Sequence, residues 1–289
     1  MSIVDTIRRS TGKLLPTKYK MPIRGHRVLV TGAGSGIGRL MAIECADRGA
    51  AKVIIWDLSE ERAAETAATI NAAGGAAEYQ VVDVTDQEAV EAAAEIAGDV
   101  DILFNNAGVV SGRDFLDNTQ ESVDRTLDVN VRSLYIVTRP FLKGMVERDR
   151  GTVVVTASAA GVVGVAKQTD YSASKWAAIG FTESLRVEMK RRKHRVNTLS
   201  LCPFYVDTGM FDGVKTKVPW IFPILRQEDV ARTFVDAVEA GRHQVLLPWT
   251  VRLVYIGRLL PLPLFDAFCG LLGVNATMEE FRGRPGDRV

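Results

Sequence analysis

Near the start of the chain, the run Thr31-Gly32-Ala33-Gly34-Ser35-Gly36-Ile37-Gly38 follows a short β-branched stretch, Arg27–Thr31, and opens a stretch of helical period, Gly36–Arg48, that stops at Gly49. Glycines there let the backbone turn sharply and come close to a pyrophosphate. The helix N-terminus beyond them offers free N–H groups and a partial positive charge. The spacing is T-G-x-x-x-G-x-G and not a strict G-x-G-x-x-G, because Arg39 stands where the last glycine would fall. A glycine turn alone is weak evidence, but one set between a strand and a helix predicts the first crossover of a nucleotide-binding α/β sheet.

The alternation continues. Further strands are predicted at Lys52–Asp57, Tyr79–Val84, Asp101–Asn105, Thr152–Ala157, Val196–Leu201 and Gln244–Leu247, with helices at Glu60–Ala73 and at about 87–97, 120–147, 171–192 and 227–240. Near-continuous Val/Ile/Leu strands separated by helices mean a parallel sheet covered on both faces. Right-handed crossovers make it a doubly wound, Rossmann-type α/β domain. The 289 residues suffice for one such domain. It is expected over 25–248, between a basic N-terminal extension (1–24) and a hydrophobic C-terminal extension (249–289).

A formal charge of +1 gives no reason to expect nucleic acid as a partner. Cys45, Cys202 and Cys269 are few, scattered and odd in number, which fits a reduced, cytoplasmic protein. His26, His194 and His243 have no ligand spacing, so no metal is expected.

The catalytic signal lies in Tyr171-Ser172-Ala173-Ser174-Lys175, with Ser158 upstream. On a helix, positions i and i+4 share a face, so the ammonium of Lys175 can sit beside the phenol of Tyr171. A cation there would draw the phenol down from its ordinary value of about 10 toward the range of a general base. A phenol, an ammonium and a hydroxyl so arranged can move a proton on and off a carbinol oxygen. At the other end, Asp57 closes the second predicted strand. A carboxylate at that place can accept both adenosine ribose hydroxyls and repel a 2′-phosphate, which favours NAD over NADP. It could also serve as an acid at a helix N-terminus. Asp83 and Val84, at the end of the third predicted strand, would flank the adenine.

Taken together, Thr31–Gly38, Asn105-Asn106-Ala107-Gly108, Ser158 and the Tyr171/Lys175 pair resemble the short-chain dehydrogenase/reductase family over about residues 25–248. The resemblance implies that Gly32, Ser35, Gly36, Ile37 and Gly38 hold the pyrophosphate. Asn105 and its neighbours Asn106, Ala107 and Gly108 would hold the central strands and border the cofactor, and Pro203, Val206 and Thr208 would meet its nicotinamide end. Asn130 would keep a water in a proton relay behind Lys175, Ser158 would bond the substrate oxygen, Tyr171 would exchange the proton, and Lys175 would hold the nicotinamide ribose. Read singly, Ser158 could equally be a strand-end cap, Asn130 a polar group at a helix bend and Thr208 a turn cap. The chain departs from the family at Phe204, where a glycine is usual after Pro203.

Shorter matches at Thr208–Lys215, Pro219–Pro223 and Met278–Arg284 resemble the retinol-dehydrogenase-like branch, which implies retinoid, sterol or other lipid alcohols as substrates. Val110, Val162, Val163, Val165, Phe204, Tyr205 and Phe211 are candidate apolar walls for a hydrophobic small molecule. A reductase using NADPH on small carbonyl compounds and a non-catalytic membrane-associated nucleotide-binding scaffold remain as alternatives. A second apolar stripe on the Tyr171 helix (Trp176, Ile179, Phe181, Leu185) predicts a homo-oligomer. The 249–273 run is apolar apart from Arg252, Arg258 and Asp266. It reads either as a layer packed on the domain or a partner copy, or as a ledge in peripheral contact with a membrane, and the N-terminal extension as a solvated arm or an interfacial contact.

Overall fold

The computed structural model describes residues 20–283, so most of the N-terminal extension and the final residues fall outside the described part. Seven parallel strands form a single sheet in the order β3-β2-β1-β4-β5-β6-β7. They are β1 (Arg27–Thr31), β2 (Lys52–Asp57), β3 (Ala77–Val81), β4 (Ile102–Asn105), β5 (Gly151–Thr156), β6 (Val196–Pro203) and β7 (Gln244–Leu247). Between them run α1 (Gly36–Asp47), α2 (Glu60–Ala72), α3 (Gln87–Ala97), α4 (Gln120–Leu127), α5 (Ser133–Glu147), α6 (Thr169–Arg192) and α7 (Gln227–Glu239).

The strand order reverses between β1 and β4, where Val28 pairs with Val53 on one side and Ile102 on the other. At such a switch point successive crossovers leave in opposite directions and open a crevice beyond the carboxyl ends of the strands. The two faces of the sheet bury separate clusters. One joins Met41 and Cys45 of α1, Ile70 of α2 and Phe234 of α7 to Val28, Val30 and Phe104. The other joins Val90 of α3, Phe141 and Met145 of α5 and Ile179 and Leu185 of α6 to Leu29, Trp56 and Val153. Covered on both sides, these strands need no polar alternation, which is why they read as continuous apolar runs.

Three expectations shift. The edge strand β3 ends at Val81, so Asp83 and Val84 lie in the turn after it and not in the strand. The predicted helix 120–147 is two helices joined by a widened, π-type turn, Asp128–Arg132, which carries the buried Asn130; such turns re-aim one side chain without ending the helix. The stripe proposed for self-association is largely used within the chain. Ile179 and Leu185 are in the core, Phe181 packs edge-on against Tyr135 at 5.0 Å, and only Trp176 is well exposed.

The C-terminal extension folds as α8 (Leu253–Gly257) and α9 (Leu262–Leu271). Pro261 caps α9 and Pro263 sits in its first turn, where no backbone donor is required. One side of this layer, through Phe265, Cys269 and Val274, packs on Val163 and Phe222. Among the described residues no helix is long and apolar enough to cross a membrane.

Candidate active site

A groove of about 570 Å³ runs across the carboxyl ends of the strands, from Asp57, Arg62 and Val84 at one end to Ser158, Tyr171 and Phe211 at the other. Its floor is the glycine turn. Gly32 and Gly36 have φ of +64° and +55°, in the left-handed region that favours glycine. A Cβ on Gly38 would run into the carbonyl of Gly32 and the amide of Asn106, and one on Gly34 would lie 2.7 Å from Cγ of Asp57. The turn is thus pinned from both sides. Asn106 Nδ2 donates to the Thr31 carbonyl at 3.0 Å, and Thr31 Oγ1 accepts from the backbone N–H groups of Asn106 and Ala107 at 2.9 and 3.0 Å. Ser35, Gly36, Ile37 and Gly38 line the groove where α1 begins, with Ala107 and Gly108 opposite. Bare backbone at a helix N-terminus, with no room for a side chain, fits a pyrophosphate.

Asp57 is buried, and both of its oxygens are engaged. Oδ2 accepts from Gly34 N–H at 2.8 Å and Oδ1 from Ser59 N–H at 3.0 Å. Arg62, which the sequence reading missed, brings Nη2 to 3.7 Å from Oδ1, and its Nε is buried with no hydrogen-bond partner among the described residues. Arg39 turns the other way, onto Glu65 at 2.8 Å. Asp83 and Val84 line this end despite their place beyond β3.

Asn105 does not border the groove. Strand alternation points it below the sheet, where Nδ2 donates to Thr138 Oγ1 at 3.0 Å, and Asn106 lines the groove instead. Asn130 is also off the wall: its Oδ1 accepts from Val109 N–H at 2.9 Å, and its Nδ2 donates to the Val109 carbonyl at 2.9 Å and to Ser174 Oγ at 3.0 Å. It therefore joins the loop after β4 to α6 on the far side of Gly108. A Cβ on that glycine would meet Asn130 Oδ1 at 3.3 Å and Lys175 Nζ at 3.5 Å.

At the far end Tyr171 and Lys175 share one face of α6, with Nζ 5.4 Å from the ring centroid, and both are buried. Nζ donates to the Thr156 carbonyl at 2.9 Å. Ser158 ends the β5 segment. Its Oγ caps the short turn Ala159–Gly161 by accepting from Ala160 N–H at 3.1 Å, so the capping role and exposure to the groove coexist. The expected acidification of the phenol by its lysine is not what this geometry gives. Burial pushes Tyr171 well above the ordinary tyrosine range, and the hydroxyl of Ser158 is the influence that pulls it back. Burial likewise brings Lys175 down to about 8. Both shifts have one cause, the cost of holding charge in a dry site.

Pro203, Val206 and Thr208 line the groove beside Phe204 and Phe211. The Phe204 ring, where the family usually has glycine, packs on Tyr205 at 4.6 Å and Phe222 at 5.4 Å, and Phe211 meets the Tyr171 ring edge-on at 5.8 Å. The C-terminal segment completes this wall: Phe281 packs 6.3 Å from Phe211, and Thr277 Oγ1 lies 2.8 Å from the hydroxyl of Tyr205. Val110 and Val165 are half-buried, whereas Val162 belongs to the main core. Among the described residues no group of three or more His, Cys, Asp or Glu could hold a metal ion.

A glycine turn at the switch point and a tyrosine–lysine pair at the opposite end of one groove define a Rossmann-type oxidoreductase. Residues 26–219 match the family model of the short chain dehydrogenases. The chain is 36% identical over 276 residues to short-chain dehydrogenase/reductase family 16C member 6 of Bos taurus, covering 93% of this chain and 87% of that protein. It is 36% identical over 275 residues to epidermal retinol dehydrogenase 2 of Mus musculus, covering 93% and 89%. Among solved structures, a short chain dehydrogenase/reductase from Burkholderia phymatum in complex with NAD superimposes with a TM-score of 0.74 at 28% identity, covering 82% of this chain and 94% of that one. The chain belongs to the short-chain dehydrogenase/reductase family, in its retinol-dehydrogenase-like branch, and is an enzyme of the alcohol dehydrogenase/reductase class.

Proposed function

We propose that the protein interconverts a hydrophobic alcohol of retinoid, sterol or lipid type and its carbonyl, using NAD. The observation that carries this reading is the aromatic group at the Tyr171 end of the groove: Phe211 meets the Tyr171 ring edge-on, Phe204 and Phe211 line the groove, and Tyr205 and Phe281 pack on Phe211 behind them. A hydrophobic pocket with one reactive polar spot suits such a ligand. The mouse relative is named as a retinol dehydrogenase, which supports the same class.

Nicotinamide, when bound, supplies hydride acceptance and return. Gly32, Ser35, Gly36, Ile37 and Gly38 would hold the pyrophosphate and Asp57 the adenosine ribose. Ala107 and Gly108 border the middle of the groove, and Pro203, Val206 and Thr208 its far end. Ser158 would donate to the substrate oxygen. Tyr171, whose phenol burial holds protonated, would take the hydroxyl proton in oxidation as its own passes on toward the neutral amine of Lys175, with the reverse transfer in reduction. Lys175 would also hold the cofactor's nearer ribose, and Asn130 braces the loop beside it so that a water could continue the relay. Placed acid–base groups of this kind are worth about 10²–10⁴-fold. The test is a panel of retinol, a hydroxysteroid, a long-chain alcohol and a polyol, each with NAD and NADP. Turnover of the apolar alcohols with NAD is expected. Activity only on polyols would remove the substrate assignment, and a strong preference for NADPH with small carbonyl compounds would favour the reductase reading.

The pH dependence follows from Lys175. With its ammonium titrating at about 8, the neutral amine that can accept a proton forms only above that pH, and the ammonium that can resupply one persists only below it. Oxidation is therefore expected to rise and reduction to fall as pH passes through about 8. Profiles of kcat/KM in both directions would check this, and two flat profiles would count against a relay through Lys175.

A further inference from the structure

Two loops flank Tyr171, and a third segment joins them. The loop after β4 carries Ser111, whose Oγ donates to Asp170 beside Tyr171 at 2.8 Å, and Gly112. The loop after β6 carries Phe211, edge-on to the Tyr171 ring, and Gly213. The joining segment is 277–283, beyond α9, which the proposed chemistry leaves unused. Its first two residues, Thr277 and Met278, are buried. Thr277 Oγ1 lies 2.8 Å from the Tyr205 hydroxyl, and Gln168 Nε2 lies 3.1 Å from Met278 Sδ. Further on, the N–H of Arg282 donates to the Asp212 carbonyl at 2.8 Å. Lys215 pairs with Glu280 at 2.6 Å and Lys167 with Glu279 at 3.2 Å, but both glutamates are exposed, and such pairs add little.

Phe281 reaches from this segment to both loops. Its ring packs 6.3 Å from Phe211 on one side. On the other it lies so close to Gly112 that a Cβ there would run into it. Gly112 has φ of +66°, and Gly213, where a Cβ would run into the Glu280 carbonyl, has +87°. Each loop thus gives up a side chain where the segment crosses it. Phe281 is half-buried, Phe211 is half-buried and lines the groove, and Tyr171 is buried. Three rings therefore lead from the surface to the phenol.

We infer that Phe281 sets the size of alcohol that the site accepts, an inference that rests on the apolar-alcohol reading above. The reacting carbon would lie between Ser158 and Tyr171, so the rest of the molecule has to leave that point past Phe211. The Phe281 ring stands across that way, between the two loops. A short apolar tail ends before the ring, and a long one meets it. The ring is also separable from the fold of its segment, because Thr277, Met278 and the Arg282 N–H hold the backbone without it. A smaller side chain at 281 would open the gap between Gly112 and Phe211 and leave the segment in place.

The test measures kcat/KM with NAD for straight-chain primary alcohols from butanol to dodecanol, for the full-length wild type, F281A and F281L. The ratio of the long to the short alcohol is expected to rise about tenfold or more in F281A, with F281L between it and the wild type. NADH binding, read by fluorescence, is expected to be unchanged in both variants, since the glycine turn and Asp57 lie at the other end of the groove. An unchanged ratio in F281A would mean that the ring only packs, and a lower one that it holds the tail instead of stopping it; either result overturns the inference. If the wild type oxidises none of these alcohols, the substrate class fails, and the closure is then judged by hydrogen exchange. F281A is expected to exchange faster at residues 109–118 and 211–215, and unchanged exchange there would overturn the closure as well.

Discussion

Phenylalanine in place of Tyr171 is expected to lower turnover by about 10²–10⁴-fold while leaving dinucleotide binding nearly intact. The substitution removes one oxygen and keeps the ring, so the edge-on contact with Phe211 at 5.8 Å and the packing on α6 survive. Lys175 keeps its bond to the Thr156 carbonyl, and the glycine turn at the other end of the groove is untouched. What disappears is the phenol that the proposed mechanism uses to exchange a proton with the carbinol oxygen. Buried as it is, the phenol is strongly held in its protonated form. Ser158 cannot replace it, because a serine hydroxyl is a far weaker acid. Steady-state kinetics with a hydrophobic alcohol, beside NADH titration by fluorescence, would measure both halves of the expectation. Wild-type turnover in the variant would end the acid–base assignment, and loss of NADH binding would mean that the phenol serves the cofactor more than the substrate.

Which parts of this site could be read from sequence follows from which parts are local. The glycine turn is local: its residues, its strand and its helix are contiguous, and its spacing carries over directly to the groove floor. Tyr171 and Lys175 are related by helical period alone, so their shared face was legible as well. Asn105 and Asn106 were not separable, because which of two adjacent strand residues faces the groove depends on the phase of the pleat, and four residues of β4 leave that phase open. The π-type turn at Asp128–Arg132 has no residue signature. It forms because Asn130 gains partners on two other segments, Val109 and Ser174. The direction of the Tyr171 shift was misread for a similar reason. A lysine at i+4 is visible in sequence, whereas the depth of burial that outweighs it is a property of the assembled sheet, helices and C-terminal segment. Arg62 did have a signal. Side chains in the first turn of a helix lean back toward its N-terminus, and α2 begins just after Asp57, so an arginine there reaches the carboxylate that ends β2.

That arginine sharpens the prediction for cofactor choice. Asp57→Asn is expected to cut kcat/KM with NAD by about 10–100-fold and to raise that with NADP, so that the preference narrows or reverses. In the wild type the carboxylate would accept from ribose hydroxyls in charge-assisted bonds and would repel a 2′-phosphate across a short, poorly solvated distance. It also draws Arg62 to 3.7 Å, so a guanidinium lining the groove faces an anion already in place. The asparagine keeps one carbonyl oxygen for the Gly34 N–H, so the glycine turn should persist, and it gives up the acceptor that the Ser59 N–H uses at the start of α2. Without the carboxylate, Arg62 becomes a partner for the phosphate, with its unpartnered Nε already turned into the protein. Arg39 is not expected to contribute, since its guanidinium is paired with Glu65 at 2.8 Å. The double variant D57N/R62A isolates the arginine: if NADP use rises in D57N and falls back in the double variant, phosphate recognition has passed to Arg62. If D57N leaves the ratio of the two cofactors unchanged, Asp57 serves the glycine turn and does not set the choice of cofactor.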